Sequence, residues 1–233
     1  MNDIFVGREK EYAAISALMG KRKNIIIFGA EGTGKSTIIK SILKDKNITS
    51  LLYSQDSRSL KGSLFNLILS VLGDAKAIQE LNILALKNRL YRIIKEMKPE
   101  YIVFDQVESV EPKFYSLFVY LMEAKIPLIV LSHGLQKQDI GHLRMSLFNF
   151  AKVEISNLDR PTADVLIDHF IKEFGIKITK EADFKKQIFH FSKGNPKIIK
   201  GFCFLARDVK YQKNDTLDVK LMDLDRRISE AVH

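Results

Sequence analysis

One eight-residue segment constrains the fold of this chain more than any other feature. Residues 29–36 read Gly-Ala-Glu-Gly-Thr-Gly-Lys-Ser, which fits the pattern GxxxxGK[ST]. The run Asn24–Phe28, which is rich in β-branched residues, precedes the segment and a helical pattern follows it, so the glycines fall between a strand and a helix. Glycine permits backbone dihedrals that turn several N–H groups towards one point, and a helix N-terminus adds partial positive charge. The segment therefore predicts a phosphate-binding loop.

A phosphate loop of this kind implies further partners for a nucleotide and its metal ion. Lys35 is expected to reach the β- and γ-phosphates, and the Ser36 hydroxyl is expected to bind Mg²⁺. Asp105 ends the apolar run that starts at Tyr101, so we expect it to be the second metal-binding residue, with a helix N-cap as the alternative interpretation. The sequence contains no Asn-Lys-x-Asp motif for guanine, which favours ATP or ADP with Mg²⁺ as the cofactors.

Hydrophobic periodicity predicts an alternation of strands and helices in the first two thirds of the chain. Strands are predicted at 23–29, 48–53, 101–105, 126–131 and 152–155. Helices are predicted at 8–19, 35–44, 59–98 with a break near 72–74, 112–123 and 135–150. This alternation indicates an α/β fold with a parallel sheet that is covered on both faces.

The pattern changes near residue 158, because only helices are predicted beyond Pro161. They span about 161–173, 180–192 and 195–209, and a charged, weakly helical stretch follows Tyr211. We therefore predict a nucleotide-binding core at 1–157, a helical lid at 158–211 and a C-terminal tail at 212–233.

Composition narrows the class of protein further. The 233 residues include 37 Lys plus Arg against 28 Asp plus Glu, a net charge of +9, and residues 170–213 alone have a net charge of +7. Such an excess attracts polyanions, although Lys-rich helix faces also keep proteins in solution. One cysteine and five scattered histidines disfavour a disulfide framework and a zinc site. Because no membrane span or signal-peptide profile occurs, a cytoplasmic protein without membrane contact is expected.

With these motifs in order, the chain resembles the AAA+ ATPases. It is most similar to small archaeal and bacterial members near the origin-recognition, transposition-ATPase and STAND-like signalling branches, over residues 4 to 210. Residues 29–36 match the Walker A motif and residues 101–105 match Walker B. The resemblance implies a P-loop NTPase three-layer sandwich with a five-stranded parallel sheet in the order 5-1-4-3-2, followed by a small all-α lid.

The resemblance also implies roles for residues outside the two Walker motifs. The segment Phe5–Glu11 is similar to the family's FVGRE start beside the adenine, which implicates Val6 and Arg8. Ser132 matches the sensor 1 position, and the Gly194–Lys197 turn matches sensor 2, which implicates Pro196 and Lys197. Arg144 is a candidate arginine finger for self-association, acting on a neighbouring subunit. The other candidate nucleotide-binding residues are Gly29, Ala30, Glu31, Gly32, Thr33, Gly34 and Thr37.

Each of these assignments has a simpler alternative. The Gly7–Glu9 segment could start a helix, Ser132 could cap one, and Lys197 and Arg144 could be solvated surface side chains.

One position departs from the pattern of fast hydrolases in this family. They carry Glu directly after the Walker B aspartate, whereas this chain has Gln106, with Glu108 two residues further on. An amide can orient a water molecule but cannot accept its proton. Slow hydrolysis, help from another group such as Glu108, and a substitution that traps ATP all remain open. The candidate catalytic residues are Lys35, Asp105, Gln106, Glu108, Ser132 and Arg144.

The favoured function is an ATP-binding protein with slow hydrolysis that acts as a nucleotide-dependent switch or assembly factor. The alternative is a nucleic-acid-associated regulator or loader that binds DNA non-specifically through a basic surface. Sequence-specific initiation is not expected, because about 22 residues follow Tyr211, too few for a winged helix. A small-molecule phosphotransferase is disfavoured, because residues 170–213 contain many lysines but one arginine, Arg207.

Overall fold

The computed structural model describes residues 6–213 and 216–232, which divide into two compact units. The first, called the α/β unit, contains residues 8–31 and 35–155. The second, called the helical unit, contains the described residues of 156–232 together with residues 6–7 and 32–34. No described helix is both long and apolar enough to cross a membrane.

The α/β unit is built on a five-stranded sheet. Its strands are β1 (Ile25–Phe28), β2 (Leu51–Ser54), β3 (Tyr101–Val107), β4 (Leu128–Ser132) and β5 (Ala151–Glu154). They lie in the order β2-β3-β4-β1-β5 and every pair is parallel. The expected order 5-1-4-3-2 is thereby confirmed, and the α/β fold class with it.

Both faces of the sheet are covered. Ile25, Ile26 and Ile27 are fully buried, as is all of β4 to within 1 %. Because successive side chains of a strand point to opposite faces, complete burial requires packing on each side. The helices of this unit are α1 (Glu9–Gly20), α2 (Lys35–Asp45), α3 (Leu60–Leu72), α4 (Ile83–Met97), α5 (Pro112–Glu123) and α6 (Lys137–Ile140).

The predicted break near residue 73 is confirmed. Gly73 ends α3 in the left-handed conformation at φ 68°, and its N–H donates to the carbonyl of Leu69. Asn82 starts α4, since its side chain accepts a hydrogen bond from the N–H of Ala85. A glycine after the last turn and an amide side chain before the first are ordinary helix signals, which is why this break was predictable.

The helix predicted over 135–150 is largely wrong. The structure has α6, then a short 3₁₀ helix at Gly141–Arg144, then turns. Gly141 has φ +56°, and a Cβ placed on it would lie 2.6 Å from the carbonyl oxygen of Val110. The backbone leaves the helical path here because it packs directly against the chain after β3.

The helical unit has its own apolar core. Its elements are α7 (Arg160–Phe174), α8 (Glu181–Ser192), α9 (Pro196–Leu205), a 3₁₀ turn (Val209–Tyr211), the two-stranded β6 (Gln212–Lys213) and β7 (Thr216–Leu217), and α10 (Val219–Val232). Phe202, Cys203 and Met222 are fully buried. The sequence predicted only weak helicity after Tyr211, whereas α10 buries Val219 and Met222 in this core.

Candidate functional site

Residues 29–36 adopt a loop that only glycine accommodates at several points. The loop connects the end of β1 to the first residue of α2. Gly29, Gly32 and Gly34 have φ values of 153°, 77° and 97°, in the region that side chains rarely adopt. A Cβ on Gly34 would meet no described atom within 4 Å. Glycine is therefore favoured here by the backbone dihedral and not by a close neighbour, and the space beside the loop is open. Such a loop before a helix N-terminus fits a phosphate group.

Lys35 is held against this loop. Its ammonium donates hydrogen bonds to the carbonyl oxygens of Gly29 at 2.7 Å and Ala30 at 2.9 Å, and the residue is 9 % exposed. Burial lowers the pKa of Lys35, while the negative charges of Asp105 and Glu31 oppose this shift. An ammonium has three donors, so one remains for a phosphate oxygen. Ser36 and Thr37 follow in the first turn of α2 and are partly exposed.

Asp105 is a buried carboxylate with a fixed orientation. It is 5 % exposed; its Oδ2 accepts the hydroxyl of Tyr53 at 2.7 Å, and its Oδ1 accepts the N–H of Gln106 at 2.9 Å. Burial and the charge of Asp105 raise the pKa of Tyr53, so the hydroxyl stays a donor. Each oxygen keeps a second lone pair. Asp105 can therefore accept metal-bound water while both bonds persist.

Gln106 lies in a bulge of β3. The pairing of β3 with β4 shifts register between Phe104 and Val107, and Gln106 has φ +53° with an exposed side chain. Left-handed backbone at a non-glycine residue costs of order 1 kcal/mol or more. A β-bulge changes the direction of the side chain at the bulged residue, so the Gln106 side chain does not follow the regular alternation of β3. Glu108 follows and is half-buried.

The remaining candidates of the α/β unit are placed as follows. Ser132 ends β4 opposite Phe28 of β1, is 1 % exposed, and donates its hydroxyl to the carbonyl of Gly134 at 2.8 Å. Arg144 ends the 3₁₀ helix and is exposed. Arg8 directly precedes α1 and donates to Glu11 at 3.0 Å. Ser132 thus shares the strand-end edge with the loop, while Arg144 is on the surface.

Three groups of candidates belong to the helical unit. Val6 packs against its core, whereas Phe5 lies outside the described residues. Asn195 caps α9 by accepting the N–H groups of Lys197 and Ile198, and Pro196 is the first helical residue. The N–H of Lys197 donates to the carbonyl of Gly32 at 3.2 Å. Thr33 is almost fully buried.

Sequence reasoning missed Tyr53. The residue lies in β2, next to β3 in the sheet, and Tyr53 pairs with Val103. Once the order 5-1-4-3-2 is assumed, a residue near the end of β2 must come close to Asp105, and a tyrosine there is a signal that could have been used.

The donor set fits a magnesium nucleotide better than a metal held by protein alone. The described residues contain no group of three or more His, Cys, Asp or Glu side chains that could hold a metal ion. Mg²⁺ in nucleotide sites keeps several waters and takes one or two protein ligands in addition to phosphates. Ser36 and, through a metal-bound water, Asp105 are the candidates for these positions.

Comparison with protein families settles the family. A family described as "AAA domain" matches residues 18–138, which is about half of the chain and includes residues 29–36 and Asp105. The chain belongs to this AAA family. A search of curated proteins found no match.

Solved structures share the fold of this AAA protein. The Aeropyrum pernix Orc1 protein in complex with DNA has a TM-score of 0.76 and 13% identity, covering 99% of this chain and 69% of that one. The Walker-type ATPase of Pyrococcus abyssi has a TM-score of 0.63 and 13% identity, and the match covers 97% of this chain and 72% of that one. The replication initiator DnaA bound to AMPPCP and single-stranded DNA has a TM-score of 0.58 and 19% identity, and the match covers 97% of this chain and 64% of that one. At these identities the likeness shows the fold alone.

Proposed function

We propose that this AAA protein binds ATP or ADP with Mg²⁺ and acts as a slowly hydrolysing, nucleotide-dependent switch or assembly factor. One observation carries the proposal: within the α/β unit the Lys35 ammonium is held on the carbonyl oxygens of Gly29 and Ala30, and the negative charge of the buried Asp105 acts on the pKa of Lys35. The DnaA structure of the same fold is bound to AMPPCP, which supports the choice of an adenine nucleotide.

Each residue has a proposed role. The backbone of Gly29–Ser36 surrounds the phosphates, with Lys35 on the terminal ones and Thr37 behind them. Ser36 and Asp105 hold the metal, which neutralises phosphate charge when bound. Val6 and Arg8 are proposed beside the adenine, and Pro196 and Lys197 on the phosphate side. Ser132 is a proposed sensor of the nucleotide state.

Slow hydrolysis follows from the residue after Asp105. Gln106 can hold a water by hydrogen bonding, but its amide cannot take the proton. Glu108, two residues after Gln106, is half-buried and follows the last residue of β3. A proton acceptor is therefore present near the site, but not at the position directly after Asp105. The nucleotide then acts mainly by being bound, not by being hydrolysed. It shifts the equilibrium between two conformations of the protein only as far as its affinities for those conformations differ.

The test measures ADP and ATP affinity together with single-turnover hydrolysis. Lys35→Ala should abolish tight binding, because the loop then lacks its cation. Gln106→Glu should accelerate hydrolysis by about 100-fold, the scale of general base catalysis. If the natural chain already turns over at about 1 s⁻¹ or faster, the proposal of slow hydrolysis is wrong.

The basic charge favours a second candidate function, which is DNA-associated regulation or loading. Residues 170–213 carry ten lysines and one arginine against four acidic residues. The Orc1 and DnaA structures of this fold were obtained with DNA. Binding should be non-specific and should weaken steeply with salt. Absence of binding to random duplex and single strands at low salt would remove this candidate.

Self-association is proposed through Arg144. The residue is exposed, as an arginine that acts on a neighbouring subunit must be. Arg144→Ala should therefore lose hydrolysis, and mixing it with Lys35→Ala chains, which keep Arg144, should restore part of it. Full hydrolysis by the Arg144→Ala chain alone would contradict this role.

A further inference from the structure

The helical unit contains an open cavity of about 910 Å³ that no step of the proposed ATPase uses. Its lining combines basic and aromatic side chains from α7, from α8 and the residue that follows it, and from α10: Arg160, Lys186, Phe189, Phe191, Lys193 and Lys220. Pockets of 300–1,000 Å³ are typical of ligand sites. The cavity is therefore large enough for a segment of a polymer or a mononucleotide.

The cations of this cavity are available for an anion. Among the described residues, the ammonium groups of Lys186, Lys193 and Lys220 form no ion pair or hydrogen bond, and all three side chains are exposed. Asp183 is the one carboxylate in the described lining. The cavity thus has a positive excess that phosphate would neutralise.

The aromatic side chains are held in place. Arg160 pairs with Asp164 at 2.9 Å and lies 5.1 Å above the ring of Phe189. The ring of Phe191 packs edge-on against His190 with centroids 5.1 Å apart. Phe189 and Phe191 are only half-buried. A face of lysines that merely keeps a protein in solution would need neither a concave shape nor aromatic rings between the charges.

We propose that this cavity binds single-stranded nucleic acid, with phosphates on Lys186, Lys193 and Lys220 and a base against Phe191. Proteins hold single strands by combining positive charges with aromatic side chains, since every base has a π-face that can stack. A duplex offers phosphates but keeps its bases stacked inside. The proposal rests on the second candidate function, nucleic-acid association, and assigns it a site.

The charge test compares two double variants of equal charge change. Lys186→Glu with Lys220→Glu alters the cavity, and Lys113→Glu with Lys177→Glu alters exposed lysines elsewhere. Affinity for a labelled oligothymidylate is measured by fluorescence anisotropy over a range of salt. The cavity variant should bind at least about ten-fold more weakly than the control variant, and its salt slope should fall by about 1.4, or 0.7 for each lost contact on single strands.

The stacking test uses Phe191→Leu, which keeps apolar bulk in the core. Loss of one stacked base should weaken oligothymidylate binding about five-fold or more, while duplex binding at the same salt should not change. ATP affinity and thermal unfolding are measured for every variant, because an altered fold would lower these as well.

The outcomes separate this proposal from the one on which it depends. If both double variants lose affinity equally, the chain binds nucleic acid elsewhere, so the site is wrong and the function stands. If the natural chain binds no nucleic acid at low salt, both are wrong. If dTMP binds as tightly as the oligomer, the cavity is a nucleotide site and the single-strand proposal is wrong.

Discussion

Asp105 owes its orientation to the phenol of Tyr53, a partner outside both Walker motifs. The hydroxyl donates to Oδ2 at 2.7 Å, while Oδ1 accepts the N–H of Gln106, so the two bonds together oppose rotation of the carboxylate. The residue is thereby a positioning residue for the proposed metal site.

Tyr53→Phe should weaken Mg²⁺-dependent ATP binding more than Mg²⁺-free binding, by about five-fold, because one hydrogen bond to a charged group is lost. Tyr12→Phe is the matched control, since Tyr12 also donates to a carboxylate at 2.7 Å, that of Asp45, on the surface. Titration calorimetry with and without the metal gives both constants. An equal loss in the two conditions would mean that Tyr53 acts only on stability.

At the scale of the elements, the turn after α6 depends on a glycine. Gly141→Ala should lower the free energy of unfolding by about 2 kcal/mol or more, because the Cβ would overlap the Val110 backbone at a positive φ. Gly20→Ala is the control: a Cβ there meets nothing within 4 Å, and alanine at a compatible site stabilises by up to about 1 kcal/mol. Urea unfolding measures both; equal midpoints would contradict the close approach.

Asp225 joins α10 to the 3₁₀ turn at Val209–Tyr211. Its side chain accepts a hydrogen bond from the Tyr211 hydroxyl at 2.9 Å and forms an ion pair with Lys210 at 3.1 Å. Hydrogen bonds from Lys210 and Tyr211 lower the pKa of Asp225. A lowered carboxyl pKa contributes stability above its ordinary value near 4, which is lost as the pH falls through the folded value.

Asp225→Asn should therefore lower the urea midpoint at pH 7, and the gap to the natural chain should close towards pH 3. Glu123→Gln, at the exposed end of α5, serves as the control. A gap that does not change with pH would show that the carboxylate charge is not what fastens the helix.

These two elements also mark where sequence analysis failed. The five strands, the glycine loop between β1 and α2, and the position of Asp105 near the end of β3 were predictable, because burial, glycine spacing and strand order reinforce one another. Residues 135–150 carry helical periodicity, but Gly141 packs on a distant backbone that no local pattern records. The α10 segment looks like a charged tail because, among the residues of this helix whose side chains the structure describes, the core contains only Val219 and Met222. The role of Tyr53 becomes visible only when β2 is placed beside β3.

For the whole molecule, nucleotide binding and folding should be linked. A ligand that binds the native state at 100 times its Kd stabilises it by about 2.7 kcal/mol. ATP with Mg²⁺ should therefore raise the thermal midpoint of the natural chain and leave that of Lys35→Ala unchanged. Calorimetry with AMPPCP in place of ATP excludes effects of hydrolysis, and an equal rise in both chains would contradict binding at the loop.

The buried Cys203 is an internal probe of how often the helical unit opens. Burial raises the pKa of its thiol to about 12, and the thiolate is the reactive species, so native protein should resist thiol reagents. The sequence holds no other cysteine. The rate at which Cys203 reacts then reports how often the helical unit opens, and any cysteine introduced on the surface becomes a unique point of attachment for a dye.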